Sequence, residues 1–227
     1  MTERETPSVD GLVIGILGGT GDQGRGLARR FALAGHQVII GSRSPERAAA
    51  AAQEIGHGVQ GQANAGAARG ASVVIAAVPW EGHGDLLTGL AAELAGKIVV
   101  DCVNPLGFDQ RGAYALPVAE GGPAEGSAAQ HAAALLPGSR VVAAFHHVSA
   151  VLLLDPEVDT IDLDVMVLGD DREATDLVQA LAARIPGVRG IYAGRLRNCG
   201  QIEGLTANLV SINRRYKAHA GLRITDI

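Results

Sequence analysis

The chain has 227 residues, 47% of them hydrophobic, and a formal net charge of −5, which suits one α/β domain or a large domain with a small appendage. The acidic balance argues against a nucleic acid partner, the charged start carries no apolar signal segment, and no apolar run approaches the ~20 residues of a membrane helix. Cys102 and Cys199 are too few for a disulfide framework or a zinc site, so we expect a cytoplasmic protein that holds no metal and contacts neither nucleic acid nor membrane.

The first part of the chain alternates apolar runs with helical patterns. After a loose tail over residues 1–10, a continuous apolar run at 12–17 predicts a strand buried on both faces. The helix that follows places Leu27 and Phe31 on one face and Arg30 on another. Further strands are predicted at 38–40, 73–78, 98–100 and 141–145, further helices at 45–55, 83–94 and 127–136, and a loop at 105–126. This alternation predicts the α/β class, with a doubly wound parallel sheet of the Rossmann type.

The pattern changes near residue 150. We expect a dinucleotide-binding Rossmann domain over 11–150 and a small mixed α/β domain over 151–227, with strands at 163–168 and 188–193 and helices at 172–185 and 199–218. The last helix carries an apolar seam with spacings of 3, 4, 3 and 4, formed by Ile202, Leu205, Leu209, Ile212 and Tyr216. Such a seam either packs on its own domain or pairs with a second copy, and we expect a homodimer.

A glycine-rich loop joins the first predicted strand to the first helix. Its spacing, Gly19-x-Gly21-x-x-Gly24, matches the dinucleotide fingerprint, and the strand-to-helix context makes that match credible. Glycine lets backbone N–H groups at a helix N-terminus come close to a pyrophosphate. We therefore predict that a dinucleotide binds at Gly19, Thr20, Gly21, Asp22 and Gln23.

The end of the second strand indicates which dinucleotide is bound. An NAD site places a carboxylate there, whereas this chain has Ser42 and Arg43, with Arg47 one helical turn later. A hydroxyl and two guanidinium groups suit a 2′-phosphate. Two such contacts predict a preference for NADP of roughly a hundredfold. Glu46 could pair with one of the arginines and weaken that preference.

The sequence lacks the proton donors typical of alcohol or ketone dehydrogenases. No tyrosine is followed four residues later by lysine, and neither Lys97 nor Lys217 lies where a hydroxyacid dehydrogenase places its lysine. Hydride transfer between two cofactors needs no such group, because the cofactors carry the chemistry and the protein aligns them. We expect no acid–base catalytic residue.

Three segments carry a resemblance to a known family. GGTGDQGRGLARRFALAGHQVIIGSR (18–43), AVPWEGH (77–83) and GLTANLV (204–210) resemble the NADPH-dependent reductases of the deazaflavin coenzyme F420. The resemblance extends over nearly the whole chain. It implies NADP on the glycine loop, with the 2′-phosphate on Ser42, Arg43 and Arg47, and reversible hydride transfer between NADPH and F420.

The resemblance also implies a place for the deazaflavin. Ligands bind outside the carboxyl ends of such strands, so the segments after two later strands would form the cleft. The residues implied beside the nicotinamide are Val78, Pro79 and Trp80, and those implied along the deazaflavin are Asn104, Pro105, Leu106, His146, Val148 and Ala150.

Three of these expectations concern single side chains. We expect His146 to hold the deazaflavin by hydrogen bonding, whereas Trp80 is either a lid or a core residue. The coenzyme has an acidic tail, which Arg111 or the 214–217 cluster could attract.

Other functions stay open at this point. A reductase of a small carbonyl or imine would need a proton donor in the cleft. A non-enzymatic NADP sensor would bind NADPH and turn over nothing. A relative of the membrane metal reductases would need a membrane haem domain.

Overall fold

The computed structural model describes residues 6–227, and a mostly parallel β-sheet runs through its centre. In chain order the strands are β1 (Val13–Leu17), β2 (Gln37–Ser42), β3 (Gln60–Ala63), β4 (Val73–Ala76), β5 (Ile98–Asp101), β6 (Leu106–Asp109), β7 (Gly112–Ala115), β8 (Arg140–Ala143), β9 (Leu163–Gly169) and β10 (Val188–Gly194). The helices are α1 (Asp22–Leu33), α2 (Pro45–Ile55), α3 (Asn64–Gly70), α4 (His83–Gly89), α5 (Ala91–Leu94), α6 (Ala128–Leu135), α7 (Ala150–Leu154), α8 (Arg172–Ala182) and α9 (Cys199–Tyr216).

The sheet has the order β10-β9-β8-β5-β4-β1-β2-β3, and the predicted doubly wound α/β fold is confirmed. Its pairs are parallel except for β8 and β9. The antiparallel direction of β9 turns its first residues towards the edge where the parallel strands end. The polar side chains of that edge therefore come from both halves of the chain.

Two apolar layers cover the sheet, one on each face. Successive strand residues alternate between them, as the pleat requires: in β5, Val99 packs in one layer and Val100 in the other. One layer packs α1, α2 and α8 against the sheet, and the other packs α3, α4 and α6. This explains why the central strands read as continuous apolar runs.

The predicted loop at 105–126 was wrong, because within it β6 and β7 form an antiparallel hairpin with Leu106 opposite Ala115. Arg30, predicted on a different face of α1 from Leu27 and Phe31, is only 3% exposed. Its guanidinium donates hydrogen bonds to four backbone carbonyls, those of Leu152, Leu153, Asp155 and Val158. Arg30 thereby fixes the C-terminal end of α7 against α1.

The segment after residue 150 continues the same sheet through β9 and β10. Val165 of β9 and Ile14 of β1 belong to one core cluster, and the division into domains at 11–150 and 151–227 stays a prediction. In α9, the seam residue Leu209 is buried within the chain, whereas Ile212 and Tyr216 are 40% and 73% exposed. The end of the seam is the part most open to a second copy, since Ile202 and Leu205 are only partly exposed.

Candidate cofactor site

The glycine loop lies at the carboxyl edge of the sheet, held between β2 and α3. The Gly19 N–H donates to the Gly41 carbonyl at 2.9 Å, and the Gly18 N–H donates to Asn64 Oδ1 at 3.2 Å. These bonds fix the loop beside the end of β2, where the predicted phosphate-binding residues lie.

The glycines of the fingerprint are required for different physical reasons. A Cβ on Gly24 would lie 2.7 Å from the Gly19 Cα, and a Cβ on Gly19 would lie 2.6 Å from the Ile40 Cβ, so close packing excludes a side chain at both positions. Gly21 is exposed with an ordinary φ of −79°, and a Cβ there would meet only the Gly18 carbonyl oxygen, at 3.8 Å. The chain itself does not require glycine at position 21, which leaves close approach of a ligand as its reason.

The start of α1 offers hydrogen-bond donors to that ligand. Gly21 is the N-cap, and no side chain caps the helix. The N–H groups of the first turn, at Asp22 and Gln23, therefore face the space beside Gly21 without an intrahelical acceptor. A pyrophosphate fits such a helix start.

The end of β2 presents two arginines. Ser42 is buried, and its Oγ accepts a hydrogen bond from the Ser44 N–H at 3.3 Å. Arg43 and Arg47 are exposed, and within residues 6–227 neither makes an ion pair. The Glu46 carboxylate accepts from the Ser44 hydroxyl at 2.7 Å, so it does not neutralise them.

The dinucleotide loop is tied to the segment after β8. Gln23 Nε2 donates to the Phe145 carbonyl at 3.1 Å. Phe145 has a φ of +66°, a backbone conformation rare for a bulky residue. Its ring is buried edge-to-face against Phe31, with centroids 5.9 Å apart. Such a constrained turn is typical of functional sites.

A polar network joins β5, β8 and α9 at the same edge. Asn104 Nδ2 donates to the His146 carbonyl at 2.8 Å. The Thr206 hydroxyl lies 3.3 Å from the same carbonyl and 3.3 Å from Asn104 Oδ1. The two predicted site residues Asn104 and His146 are thus in direct contact. Thr206, in the GLTANLV segment, contacts both and was not predicted as a site residue.

The two histidines after β8 differ in their hydrogen bonding. His147 Nε2 accepts from the Met166 N–H at 3.4 Å. Both ring nitrogens of His146 lack a partner among the described residues, although the side chain is only 4% exposed. Burial lowers the pKa of His146 to about 4. A neutral ring with one donor and one acceptor suits a ligand that carries amide or carbonyl groups.

Trp80 forms a wall of a cavity of about 630 Å³ that also contains Leu106 and Phe108. The indole Nε1 donates to the Gly121 carbonyl at 2.8 Å. Its ring lies 5.4 Å from the ring of His83, and His83 Nε2 lies 2.6 Å from Asp101 Oδ2 in a fully buried pair. Trp80 is half-buried, and these contacts hold it at the cavity wall.

The remaining predicted residues lie on the same segments. Val78 lies against the glycine loop, because a Cβ on Gly18 would overlap its Cγ1. Pro79 is exposed, whereas Pro105 and Val148 are buried, and Ala150 begins α7. A direct cofactor contact for each stays a prediction.

Two buried carboxylates here were missed. Asp101 ends β5 and is fully buried against His83. Glu203 accepts the backbone N–H groups of Ala128 and Ala129 at 2.8 and 3.2 Å. Each has a sequence signal: Asp101 follows directly on the apolar run Ile98–Val100, and Glu203 lies four residues from both Cys199 and Ala207.

The fold and the site define an NADP-linked α/β oxidoreductase of the Rossmann type. The family profile described as "NADP oxidoreductase coenzyme F420-dependent" matches residues 13–105. An F420-dependent NADP reductase of Methanothermobacter marburgensis is 40% identical over 226 residues, which cover 95% of this chain and 99% of that protein. The chain belongs to the coenzyme F420-dependent NADP oxidoreductase family, as the sequence resemblance predicted.

A solved structure and a longer relative complete the comparison. A proposed F420-dependent NADP-reductase from Arthrobacter sp. FB24 superposes with a TM-score of 0.81 at 28% identity, covering 95% of this chain and all of that one. The metalloreductase STEAP3 of Rattus norvegicus is 32% identical over 207 residues, covering 91% of this chain, which spans 38% of that protein. Between residues 6 and 227, no helix is both long and apolar enough to cross a membrane.

Proposed function

We propose that NADPH and F420 bind side by side at the carboxyl edge of the sheet and exchange a hydride reversibly. The observation that carries this proposal is the hydrogen bond from Gln23 to the Phe145 carbonyl. It connects the dinucleotide loop directly to the segment that carries His146, whose ring nitrogens have no hydrogen-bond partner among residues 6–227. Two ligands placed on these neighbouring surfaces would meet.

The NADP half of the site comes from residues 18–47. The pyrophosphate lies against Gly19, Thr20, Gly21 and the first turn of α1, where N–H groups are uncapped. Ser42, Arg43 and Arg47 hold the 2′-phosphate. The two exposed guanidinium groups make no ion pair within residues 6–227, which supports this assignment, since a phosphate would supply a partner.

The deazaflavin half comes from the segments after β4, β5 and β8. When bound, NADPH supplies the hydride and F420 receives it. Trp80, the Asn104–Leu106 segment and the 146–150 segment would line the ring, with Asn104 in contact with the His146 carbonyl. Because His146 stays neutral at physiological pH, it holds the ring by hydrogen bonding and does not donate a proton. The segment 151–227 completes this wall through Thr206.

A basic groove beside the cleft suits the acidic tail of F420. Arg111 of the hairpin turn and Arg214 and Arg215 of α9 line a groove of about 760 Å³. Phe108 borders both this groove and the cavity at Trp80, so a ligand could extend from one into the other. The resulting ion pairs would be solvent-exposed and sensitive to salt.

Two further properties belong to this proposal. The protein is a homodimer that covers the exposed ends of the α9 seam, Ile212 and Tyr216, and light scattering at several concentrations tests this. It is located in the cytoplasm, which the two free cysteines support, since reducing compartments keep thiols unpaired.

The decisive experiment mixes the protein with NADPH and oxidised F420 and follows the visible absorbance of the oxidised deazaflavin. We expect rapid bleaching with NADPH and little with NADH. Bleaching at equal rates with both would overturn the 2′-phosphate assignment. Tight NADPH binding without bleaching would redirect the search to a carbonyl or imine substrate, or to NADP sensing.

A further inference from the structure

Asp164, the second residue of β9, is a fully buried carboxylate that the proposed reaction does not use. Arg189 of β10 binds it with two parallel hydrogen bonds, from Nε to Oδ1 and from Nη2 to Oδ2, both at 2.7 Å. Such bidentate pairs are among the strongest and most directional in proteins. The last residues of the chain also form hydrogen bonds with both Asp164 and Arg189.

Residues 218–227, here called the strap, run back from α9 and dock on this pair. The Ile224 N–H donates to Asp164 Oδ2 at 2.6 Å, and Arg223 Nη1 donates to Oδ1 at 2.9 Å. The Asp164 N–H in turn donates to the Leu222 carbonyl at 2.8 Å. Arg189 Nη2 also donates to the Ile224 carbonyl at 2.7 Å. The Asp164 carboxylate therefore accepts two hydrogen bonds from the strap, and it also holds Arg189, which donates to the strap as well.

The direction of β9 places this contact beside the cofactor cleft. Because β9 is antiparallel to β8, its first residues lie at the edge where β8 ends. The strap passes that edge, where His219 Nδ1 lies 3.4 Å from the Ser149 hydroxyl. Ser149 stands between Val148 and Ala150, two residues assigned to the deazaflavin wall.

We propose that Asp164 is a positioning residue for the reaction, which holds the strap as a fixed side of the deazaflavin cleft. This rests on the proposed function. Asp164 touches neither cofactor and acts through Arg223 and the strap backbone on the 146–150 segment. Loss of the contact would let the strap leave the cleft and weaken F420 binding, while the NADP loop, at the other end of the site, would be unchanged.

The chain offers a matched control for this test. Arg223 also pairs with the exposed Asp162 at 2.8 Å. Asp162→Asn and Asp164→Asn make the same chemical change two residues apart, and both remove a partner of Arg223. Only the second also weakens the contacts of Asp164 with the Ile224 N–H and with Arg189, because an amide keeps one acceptor oxygen and carries no charge.

The experiment measures the KM for F420, the affinity for NADPH, and trypsin cleavage after Lys217 and Arg223 by mass spectrometry. We expect Asp164→Asn to raise the KM for F420 about tenfold, to change NADPH affinity less than twofold, and to accelerate cleavage. Asp162→Asn should resemble the wild type. If Asp164→Asn does not fold, Arg223→Gln keeps the pair of Asp164 with Arg189 and should show the same changes more weakly, with cleavage followed after Lys217 alone because the variant lacks the trypsin site at 223.

The outcomes separate the two proposals. Faster cleavage with an unchanged KM for F420 would make Asp164 a structural anchor alone and overturn its positioning role. Equal losses of NADPH and F420 binding would also overturn it. Absence of bleaching by the wild type would overturn the proposed function, and this inference with it, before any variant is compared.

Discussion

Glu203 accepts a hydrogen bond from the Ala128 backbone N–H at 2.8 Å, so a side chain of α9 caps the start of α6. The carboxylate is 3% exposed, and burial raises its pKa to about 8. Three residues further along α9, Thr206 contacts Asn104 and the His146 carbonyl. The cap thus fixes the rotation of α9 that brings Thr206 to the deazaflavin wall.

Replacing Glu203 by Gln should disturb both stability and F420 binding. The amide keeps one acceptor oxygen, so one backbone N–H is left buried without a partner, which costs about 1–3 kcal/mol of unfolding free energy. We expect the KM for F420 to rise several-fold while that for NADPH stays constant. Denaturant unfolding and steady-state kinetics check this.

Ser127 provides the control for that variant. Its Oγ accepts from the Gln130 N–H at 3.0 Å and caps the same helix locally. Ser127→Ala should lower stability by about 1 kcal/mol and leave both KM values unchanged. If both variants raise the KM for F420 equally, the stability of α6, and not the position of Thr206, controls the wall.

Arg43→Ala should raise the KM for NADPH roughly tenfold, because it removes a charge-assisted contact to the 2′-phosphate. The KM for NADH should change less than twofold. Arg172→Ala, a change of the same kind at the exposed start of α8, serves as the control. Equal effects on NADPH and NADH would exclude Arg43 from the phosphate site.

Arg30→Met should destabilise the fold without touching the glycine loop. Methionine fills the apolar part of the side chain but leaves the carbonyls of Leu152, Leu153, Asp155 and Val158 without their donors. We expect a loss of about 3 kcal/mol in unfolding free energy. Thermal unfolding measures it, and a loss below 0.5 kcal/mol would mean that water replaces the guanidinium.

His146 should make the protein less stable in mild acid. Burial lowers its pKa to about 4 from an ordinary value of 6.5, so the unfolded chain binds the extra proton between these limits and the folded chain does not. The stabilisation is therefore complete above pH 6.5 and declines as the pH falls towards 4.

The comparison of His146→Gln with the wild type isolates this contribution. The variant should show a shallower loss of stability between pH 6.5 and 4 in denaturant titrations. Glu203 has a raised pKa in the fold, so its contribution to stability increases as the pH falls. This contribution is the same in the wild type and the variant and cancels in the comparison. Parallel pH profiles for the two proteins would show that His146 does not titrate in this range.

The sequence predicted the central strands because they are buried on both faces and read as apolar runs. β3 has the sequence QGQA, and as an edge strand it buries too little to show such a run. The hairpin strands β6 and β7 are also partly exposed and four residues long, so turn residues dominate the pattern there.

The dinucleotide half of the site could also be predicted from the sequence, because its residues lie close together along the chain. Its fingerprint is local, since Arg47 lies 29 positions after Gly18. The contact of Asn104 with Thr206 spans 102 residues, and no local periodicity reports such a contact. Asp101 and Glu203 have only weak sequence signals, the apolar run before Asp101 and the buried residues four positions from Glu203, and their partners are again distant in sequence.

The two halves of the site therefore differ in when they form during folding and in how easily they open. Contacts between distant residues close large loops and form late in folding, and segments with few buried contacts open first. A nascent or partly opened chain would therefore hold its dinucleotide before it could hold a deazaflavin. Hydrogen exchange should find the strap and the end of α9 opening well below the free energy of global unfolding.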